Sequence, residues 1–135
     1  MSPADLLALM PFAAATGVEL DAAAPDEVRG RLAWAPERCT AGGLMHGGAL
    51  MTLADSVGAA CAFLNLPDGA STSTVSSTTS LVRGVRSGSA HAVARPAHVG
   101  RSFILVNVEV TDDDGRLVAQ VTQTQAVLTA APHPR

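Results

Sequence analysis

Residues 44–63 read LMHGGALMTLADSVGAACAF, an apolar stretch that opens on a His-Gly-Gly tripeptide and contains a single carboxylate, Asp55. After Gly48 the apolar residues recur at steps of three and four, at Leu50, Leu53, Ala54, Val57, Cys61 and Leu64. This spacing predicts a helix that buries one face in a core, and the breaker-rich residues 65–69 predict its end. It is the longest helix that the sequence predicts, so the rest of the fold is arranged around it.

The sequence on either side of this helix predicts an antiparallel sheet. Ser2 and Pro3 predict the start of a short helix that stops before Pro11. The remaining pattern predicts strands over residues 16–22, 28–34, 71–82, 89–97, 103–110 and 116–128, with a hairpin turn at 112–115. Because no second long helix separates the strands, the sheet must be largely antiparallel. We therefore expect an α+β fold in a single domain, residues 1–135, with a frayed tail from Ala130.

Composition narrows the class of protein. Of the 135 residues, 47% are hydrophobic and 16% charged, which is too apolar for a disordered chain. The net charge of −3 argues against a nucleic-acid partner. Aromatic residues are only 3% of the chain, so burial per residue is modest and an oligomer would add to stability. Cys39 and Cys61 are expected to be reduced, and neither a signal peptide nor a membrane span is predicted, which favours the cytoplasm.

Gly47 and Gly48 stand where the long helix begins. Backbone N–H groups at a helix start lack partners within the helix and lie at the positive end of its dipole. Glycines there let a ligand approach the backbone closely, so the pair is a candidate oxyanion hole. The alternative is a tight entry into the helix with no chemical role, and His46 beside it has the same two readings.

Asp55 lies in the middle of the helix, away from the leucines and among small residues. Aspartate has a poor helix propensity, so its presence there needs a reason. One reading is an exposed helical face. The other is a face covered by a second subunit, where the carboxylate acts as nucleophile or general base on a bound ester.

The separation of Gly47 and Asp55 favours a composite site. They are eight residues apart, which places them about 12 Å apart along one helix. They cannot act on the same carbonyl from one chain. A two-fold dimer with antiparallel central helices would bring Gly47 of one chain to Asp55 of the other.

The segment HGGALMTLAD closely resembles the His-Gly-Gly…Asp segment of the hotdog-fold acyl-CoA thioesterases of the phenylacetate-degradation and 4-hydroxybenzoyl-CoA thioesterase type. The resemblance extends from about residue 18 to 128 and includes the later sequences TSLVRGVRSG and VTDDDGRLVAQVTQT. It implies a hotdog fold, in which one long central helix is wrapped by a curved, largely antiparallel sheet.

The resemblance also implies roles for single residues near the helix. The Gly47 amide would polarise the thioester carbonyl, Asp55 of the partner subunit would be nucleophile or base, and His46 would shape the carbonyl site. Thr40 stands where the family often has Asn or Gln. Either Ser73 or Thr74, on the strand after the helix, would position water.

A second group implied by the resemblance would bind the substrate and its coenzyme A portion. This group consists of Gly48, Arg83, Arg86, Gly100 and Arg101. The arginines fall at predicted strand ends and turns, where family members bind the nucleotide and phosphates. Ordinary solvated side chains are the alternative reading for each arginine.

The function predicted from these residues is hydrolysis of a medium-chain or aromatic acyl-CoA to the free acid and CoA, without a cofactor or metal. The partners expected are the acyl-CoA substrate and further copies of the chain, as a dimer or as a homotetramer built as a dimer of dimers. Two other functions stay open. One is a hotdog hydratase or dehydratase, and the other is a non-catalytic module that binds or senses acyl-CoA.

Overall fold

The computed structural model describes residues 1–129, and the tail predicted from Ala130 lies outside them. Two short helices, α1 (Pro3–Ala8) and α2 (Pro11–Thr16), come first. Strands β1 (Glu19–Ala24) and β2 (Glu27–Ala33) follow, and two 3₁₀ turns, Pro36–Arg38 and Ala41–Gly43, lead into the long helix α3 (Gly47–Leu64). The chain ends in four further strands, β3 (Ser71–Leu81), β4 (Ser89–Val99), β5 (Phe103–Thr111) and β6 (Leu117–Leu128).

The six strands form one sheet in the order β1-β2-β4-β5-β6-β3, and every neighbouring pair is antiparallel. Helix α3 packs against all six strands. The predicted α+β fold, with one long helix wrapped by an antiparallel sheet, is confirmed. Strands β1 and β3 are the two edges, and β3 follows directly from the helix.

The core lies between α3 and the concave face of the sheet. Leu53, Val57 and Cys61 on the helix are fully buried, as the three- and four-residue spacing predicts. Small residues on β2 and β4 let the helix approach the strands. A Cβ on Gly30 would lie 2.7 Å from Cγ2 of Val57, so a larger residue there would push the helix away.

Helix α3 is long and apolar enough to cross a membrane by length and composition alone. Half of that stretch is buried within the described chain, and the helix packs on the sheet. It is therefore the core helix of the fold.

The strand predicted over residues 16–22 is wrong at its start, because α2 occupies Pro11–Thr16 and β1 begins only at Glu19. Pro11 begins a helix, at a position where its missing N–H has no partner to lose. The helix ends at Gly17, whose φ of 106° is left-handed and whose N–H bonds back to the carbonyls of Ala13 and Ala14.

Candidate active site

Hydrogen bonds close the loop that precedes α3 and fix where the helix begins. Cys39 and Met45 form an isolated antiparallel bridge, and the His46 N–H donates to the Arg38 carbonyl at 2.8 Å. The Met45 N–H donates to the Val85 carbonyl at 2.8 Å, which ties the same loop to the segment after β3. Thr40 lies within this loop with an exposed side chain, before the helix begins.

His46 caps the helix with its imidazole. Its Nδ1 accepts a hydrogen bond from the Gly48 N–H at 2.8 Å. Accepting requires Nδ1 to be unprotonated, so the neutral ring carries its proton on Nε2. The Gly48 amide is thus engaged inside the protein.

The Gly47 amide differs from that of Gly48. No residue in the described range 1–129 accepts a hydrogen bond from the Gly47 N–H, which lies at the positive end of α3. A Cβ at this position would lie 2.8 Å from Cδ1 of Leu81, at the end of β3. Of the two glycines, Gly47 is the one with a donor free for a ligand.

Asp55 is exposed on the face of α3 that borders β3. Its Oδ1 accepts two hydrogen bonds, from Thr74 Oγ1 at 2.9 Å and from Gln123 Nε2 at 2.7 Å. Within residues 1–129 no hydrogen bond reaches Oδ2. One oxygen of the carboxylate is therefore held, and the other is open to a ligand.

The structure distinguishes Ser73 from Thr74. They are neighbours on β3, where successive side chains point to opposite faces of the sheet. Thr74 reaches Asp55, whereas Ser73 is exposed and pairs through its backbone with Ala126. Thr74 is thus the hydroxyl that the fold brings to the carboxylate.

Sequence reasoning missed Gln123, which donates to Asp55, and Gln125 behind it. Both lie on the buried face of β6 with Val121. The available signal was the alternation itself, since residues 121, 123 and 125 fall on one face of a strand. Two glutamines in register with a buried valine could have been recognised as a polar site.

Apolar cavities flank the carboxylate. One of about 330 Å³ lies between α2 and α3, where its lining includes Met10, Phe12, Asp55 and Ala59. A second, of about 260 Å³, shares Met10 and Ala59 and continues along α3 to Phe63. Together they make an apolar groove that begins at Asp55. Phe12, which is 72% exposed, stands at its mouth.

A third cavity, of about 530 Å³, adjoins the helix start. Its lining includes Phe12, Arg38, His46, Gly48 and Thr52. Phe12 and Thr52 also line the cavity at Asp55. Space for a ligand is therefore found both beside His46 and Gly48 at the helix start and at the carboxylate.

The predicted coenzyme A residues fall into two separate groups. Arg83 and Arg86 lie in the loop between β3 and β4, and Arg86 Nη1 donates to the Gly42 carbonyl at 3.1 Å, near the start of α3. Gly100 and Arg101 form the turn between β4 and β5, at the other end of β4. Eleven residues of strand separate the groups by roughly 30 Å. Within one chain they do not meet.

Comparison with known proteins identifies the family of this chain. Residues 42–119 match the model of the thioesterase superfamily. A protein of Mycobacterium tuberculosis that carries the name of an esterase is 34% identical over 122 residues, which is 88% of this chain and 87% of that protein. The 1,4-dihydroxy-2-naphthoyl-CoA hydrolase of Escherichia coli is 31% identical over 86 residues, covering 64% of this chain and 63% of the hydrolase.

Among solved structures, a thioesterase from Haemophilus influenzae superposes with a TM-score of 0.92 at 22% identity, covering 100% of this chain and 96% of the other. At 22% identity this similarity shows the fold alone. The family model covers more than half of the chain and includes His46, Gly47 and Asp55. The protein belongs to the thioesterase superfamily and is a thioester hydrolase with the hotdog fold.

Proposed function

We propose that the chain is an acyl-CoA thioesterase that hydrolyses a medium-chain or aromatic acyl-CoA to the free acid and CoA. The observation that carries this proposal is the state of Asp55. Its Oδ1 is held by Thr74 and Gln123, and its Oδ2 is open at the mouth of an apolar groove. A carboxylate held in this way can attack an ester or activate a water molecule beside it.

The proposed chemistry divides between two helices. In one route Oδ2 of Asp55 takes a proton from water while the water oxygen attacks the thioester carbon. In the other, Oδ2 attacks that carbon, and water then hydrolyses the resulting anhydride. In both routes the carbonyl oxygen becomes negative. It then accepts a hydrogen bond from the free N–H of Gly47, at the positive end of the helix. The C–S bond breaks and CoA leaves as the thiolate, which takes up a proton.

The two groups must come from different chains, because Gly47 and Asp55 are about 12 Å apart along α3. We propose that β3 supplies the interface. It is an 11-residue edge strand that pairs with β6 on one side and with no strand of residues 1–129 on the other, and Val75 on it is 54% exposed. Met51 is 45% exposed on the helix, one turn before Asp55. Pairing two β3 edges about a two-fold axis covers both side chains and makes α3 antiparallel to its copy, giving a dimer or a dimer of dimers.

The groove and the arginines support the choice of substrate. Met10, Ala59 and Phe63 offer an apolar path away from Asp55 for the acyl group. Arg83 and Arg86 are exposed near the helix start, where they can meet CoA phosphates. Arg101 and Gly100 are too far away within one chain and would approach the same site only from another copy. The relative from E. coli is named as a hydrolase of an aromatic CoA ester.

The cytoplasm is the compartment we propose. Cys39 and Cys61 are both free thiols. Unpaired cysteines are usual in a reducing compartment.

A panel of CoA esters tests the proposal. Hexanoyl-, octanoyl-, benzoyl- and phenylacetyl-CoA are incubated with the protein, and free CoA thiol is measured alongside an enoyl-CoA whose double bond is followed by absorbance. Thiol release from one or more esters is expected. Loss of the enoyl absorbance without thiol release would mean a hydratase, and binding without either reaction would mean a sensor.

A further inference from the structure

Two glutamines lie in the core of this protein. Gln123 and Gln125 on β6 are 0% exposed, on the same face as the buried Val121. Glutamine is seldom fully buried, because its amide must find hydrogen-bond partners away from water. Two such residues side by side on one strand need a reason.

Their amides close a ring of hydrogen bonds with Asp55. Gln125 Nε2 donates to Gln123 Oε1 at 3.0 Å and to Thr74 Oγ1 at 2.7 Å. Gln123 Nε2 and the Thr74 hydroxyl then both donate to Oδ1 of Asp55. The Gln125 amide thus donates to both Gln123 and Thr74, and these two residues both donate to Oδ1 of Asp55.

The Asp55 carboxylate fixes which group donates and which accepts in every hydrogen bond of this ring. An ionised carboxylate only accepts, so Gln123 must present its NH₂ group to Asp55 and its oxygen to Gln125. Gln125 must then direct its own NH₂ group toward Gln123 and Thr74, and Thr74 must donate its one hydroxyl hydrogen to Asp55. The ring has a single arrangement when Asp55 is charged.

Helix α3 makes room for this ring at Gly58. A Cβ on Gly58 would lie 2.2 Å from Oε1 of Gln123 and 3.3 Å from Cγ2 of Val108. A glycine inside a helix is less favourable than alanine. Gly58 is one turn after Asp55, on the buried side of the helix, and its missing side chain is the space that the Gln123 amide occupies.

We propose that Gln123, supported by Gln125, is a positioning residue for the Asp55 carboxylate. By holding Oδ1 from below, together with Thr74, it leaves Oδ2 directed at the substrate or the attacking water. Gln123 itself touches no substrate. This inference rests on the proposed function, since it assigns the ring a task in thioester hydrolysis.

The test replaces Gln123 by methionine, which has a similar length and no amide. The matched control is Gln120→Met, the same change on the exposed face of β6. We expect kcat of the Gln123→Met variant to fall by about ten- to a hundred-fold, with KM within twofold, because a small misplacement of a reacting group has effects of this size. The control should keep the parent kcat.

A double-mutant cycle separates positioning from general damage. In an Asp55→Asn background, Gln123→Met should lower kcat no further, because its effect acts through the carboxylate. The same fold-loss in both backgrounds would mean a structural role and would overturn the proposal. If Gln123→Met does not fold, Gly58→Ala displaces the same amide from the helix side and should give the same change in kcat and KM.

The parent enzyme separates this inference from the function beneath it. No hydrolysis of any CoA ester by the parent would overturn both. Hydrolysis by the parent, with kcat unchanged in Gln123→Met and in Gly58→Ala, would overturn the positioning role and leave the proposed function standing.

Discussion

Asp55 combines two properties that a single substitution can separate, its shape and its charge. Asparagine keeps the Oδ1 that accepts from Thr74 and Gln123, so the Asp55→Asn variant should fold and bind substrate as the parent does. It lacks the charged oxygen needed to attack or to take a proton. We expect kcat to fall by about 10² to 10⁴. Turnover is measured by thiol release, folding by thermal unfolding and binding by calorimetry. A variant that works at the parent rate would contradict the mechanism.

His46 acts on stability through its cap, according to the geometry at Gly48. His46→Ala leaves the Gly48 N–H without its acceptor and should lower the free energy of unfolding by about 1 kcal/mol. His46→Asn is the matched variant, because an asparagine side chain is a good N-cap and should recover most of this loss. Urea unfolding measures both. Equal stability of the alanine variant and the parent would mean that the imidazole contributes nothing as a cap.

At the level of elements, α3 was predicted closely because its buried stripe repeats with the period of a helix over five turns. The sequence pattern does not predict helix α2, because a proline that commonly ends a helix begins one here, at Pro11. The strands after α3 follow from alternation and turn residues. Sequence periodicity therefore predicts best those helices and strands in which buried and exposed residues alternate regularly.

The candidate site can be predicted from the sequence only in part, for a different reason. The Gly47 and Asp55 pair lies within one helix, so its spacing could be read directly. Gln123 reaches Asp55 across 68 positions of sequence. A contact of that length depends on sheet order, with β3 and β6 adjacent. Arg101 and Arg83 lie far apart because β4 runs between their two turns. Their positions at strand ends do not predict this distance.

The buried face of α3 protects Cys61. Burial, and to a smaller degree the charge of Asp26, raises the pKa of the Cys61 thiol to about 11. Because the thiolate is the reactive form, only about one thiol in a thousand is ionised at pH 8, and reactivity should rise only toward the raised pKa. A Cys39→Ser variant carries Cys61 as its one cysteine. We expect it to resist iodoacetamide at pH 8 when native and to react fully in denaturant. Rapid labelling of the native variant would contradict the burial of this face.

For the whole molecule, the two sheet edges differ in what they expose, and this difference predicts the oligomer. Lysine at Val75 on β3 places a charge in the proposed interface, whereas lysine at Ala22 on β1 changes the other edge. We expect Val75→Lys to break the pairing of the two β3 strands, which halves the mass measured by light scattering, and to abolish thioester hydrolysis. Ala22→Lys should leave the mass and the activity unchanged. A Val75→Lys protein of half the parent mass with full activity would mean that the site does not need the β3 interface.

The composite site has a stricter consequence, which mixed dimers test. Gly47→Pro removes the N–H in question, since proline is tolerated at the first position of a helix and His46 already has the extended backbone that precedes a proline. The Cβ that it adds would lie 2.8 Å from Cδ1 of Leu81, so the end of that flexible side chain must shift. Asp55→Asn removes the charge. Each variant alone should be inactive. A heterodimer of the two has one site with both defects and one site with neither, built from Gly47 of the Asp55→Asn chain and Asp55 of the Gly47→Pro chain.

Equal mixing with random exchange makes half of the dimers mixed, and half of their sites intact. Refolding the two variants together should therefore restore about a quarter of the parent activity per chain, because a two-fold interface forms two equivalent sites. Each variant refolded alone is the control and should stay inactive. If Gly47 and Asp55 acted within one chain, every site in the mixture would carry one defect, and no activity would return. The recovered fraction thus measures directly how the two halves of the site are shared between subunits.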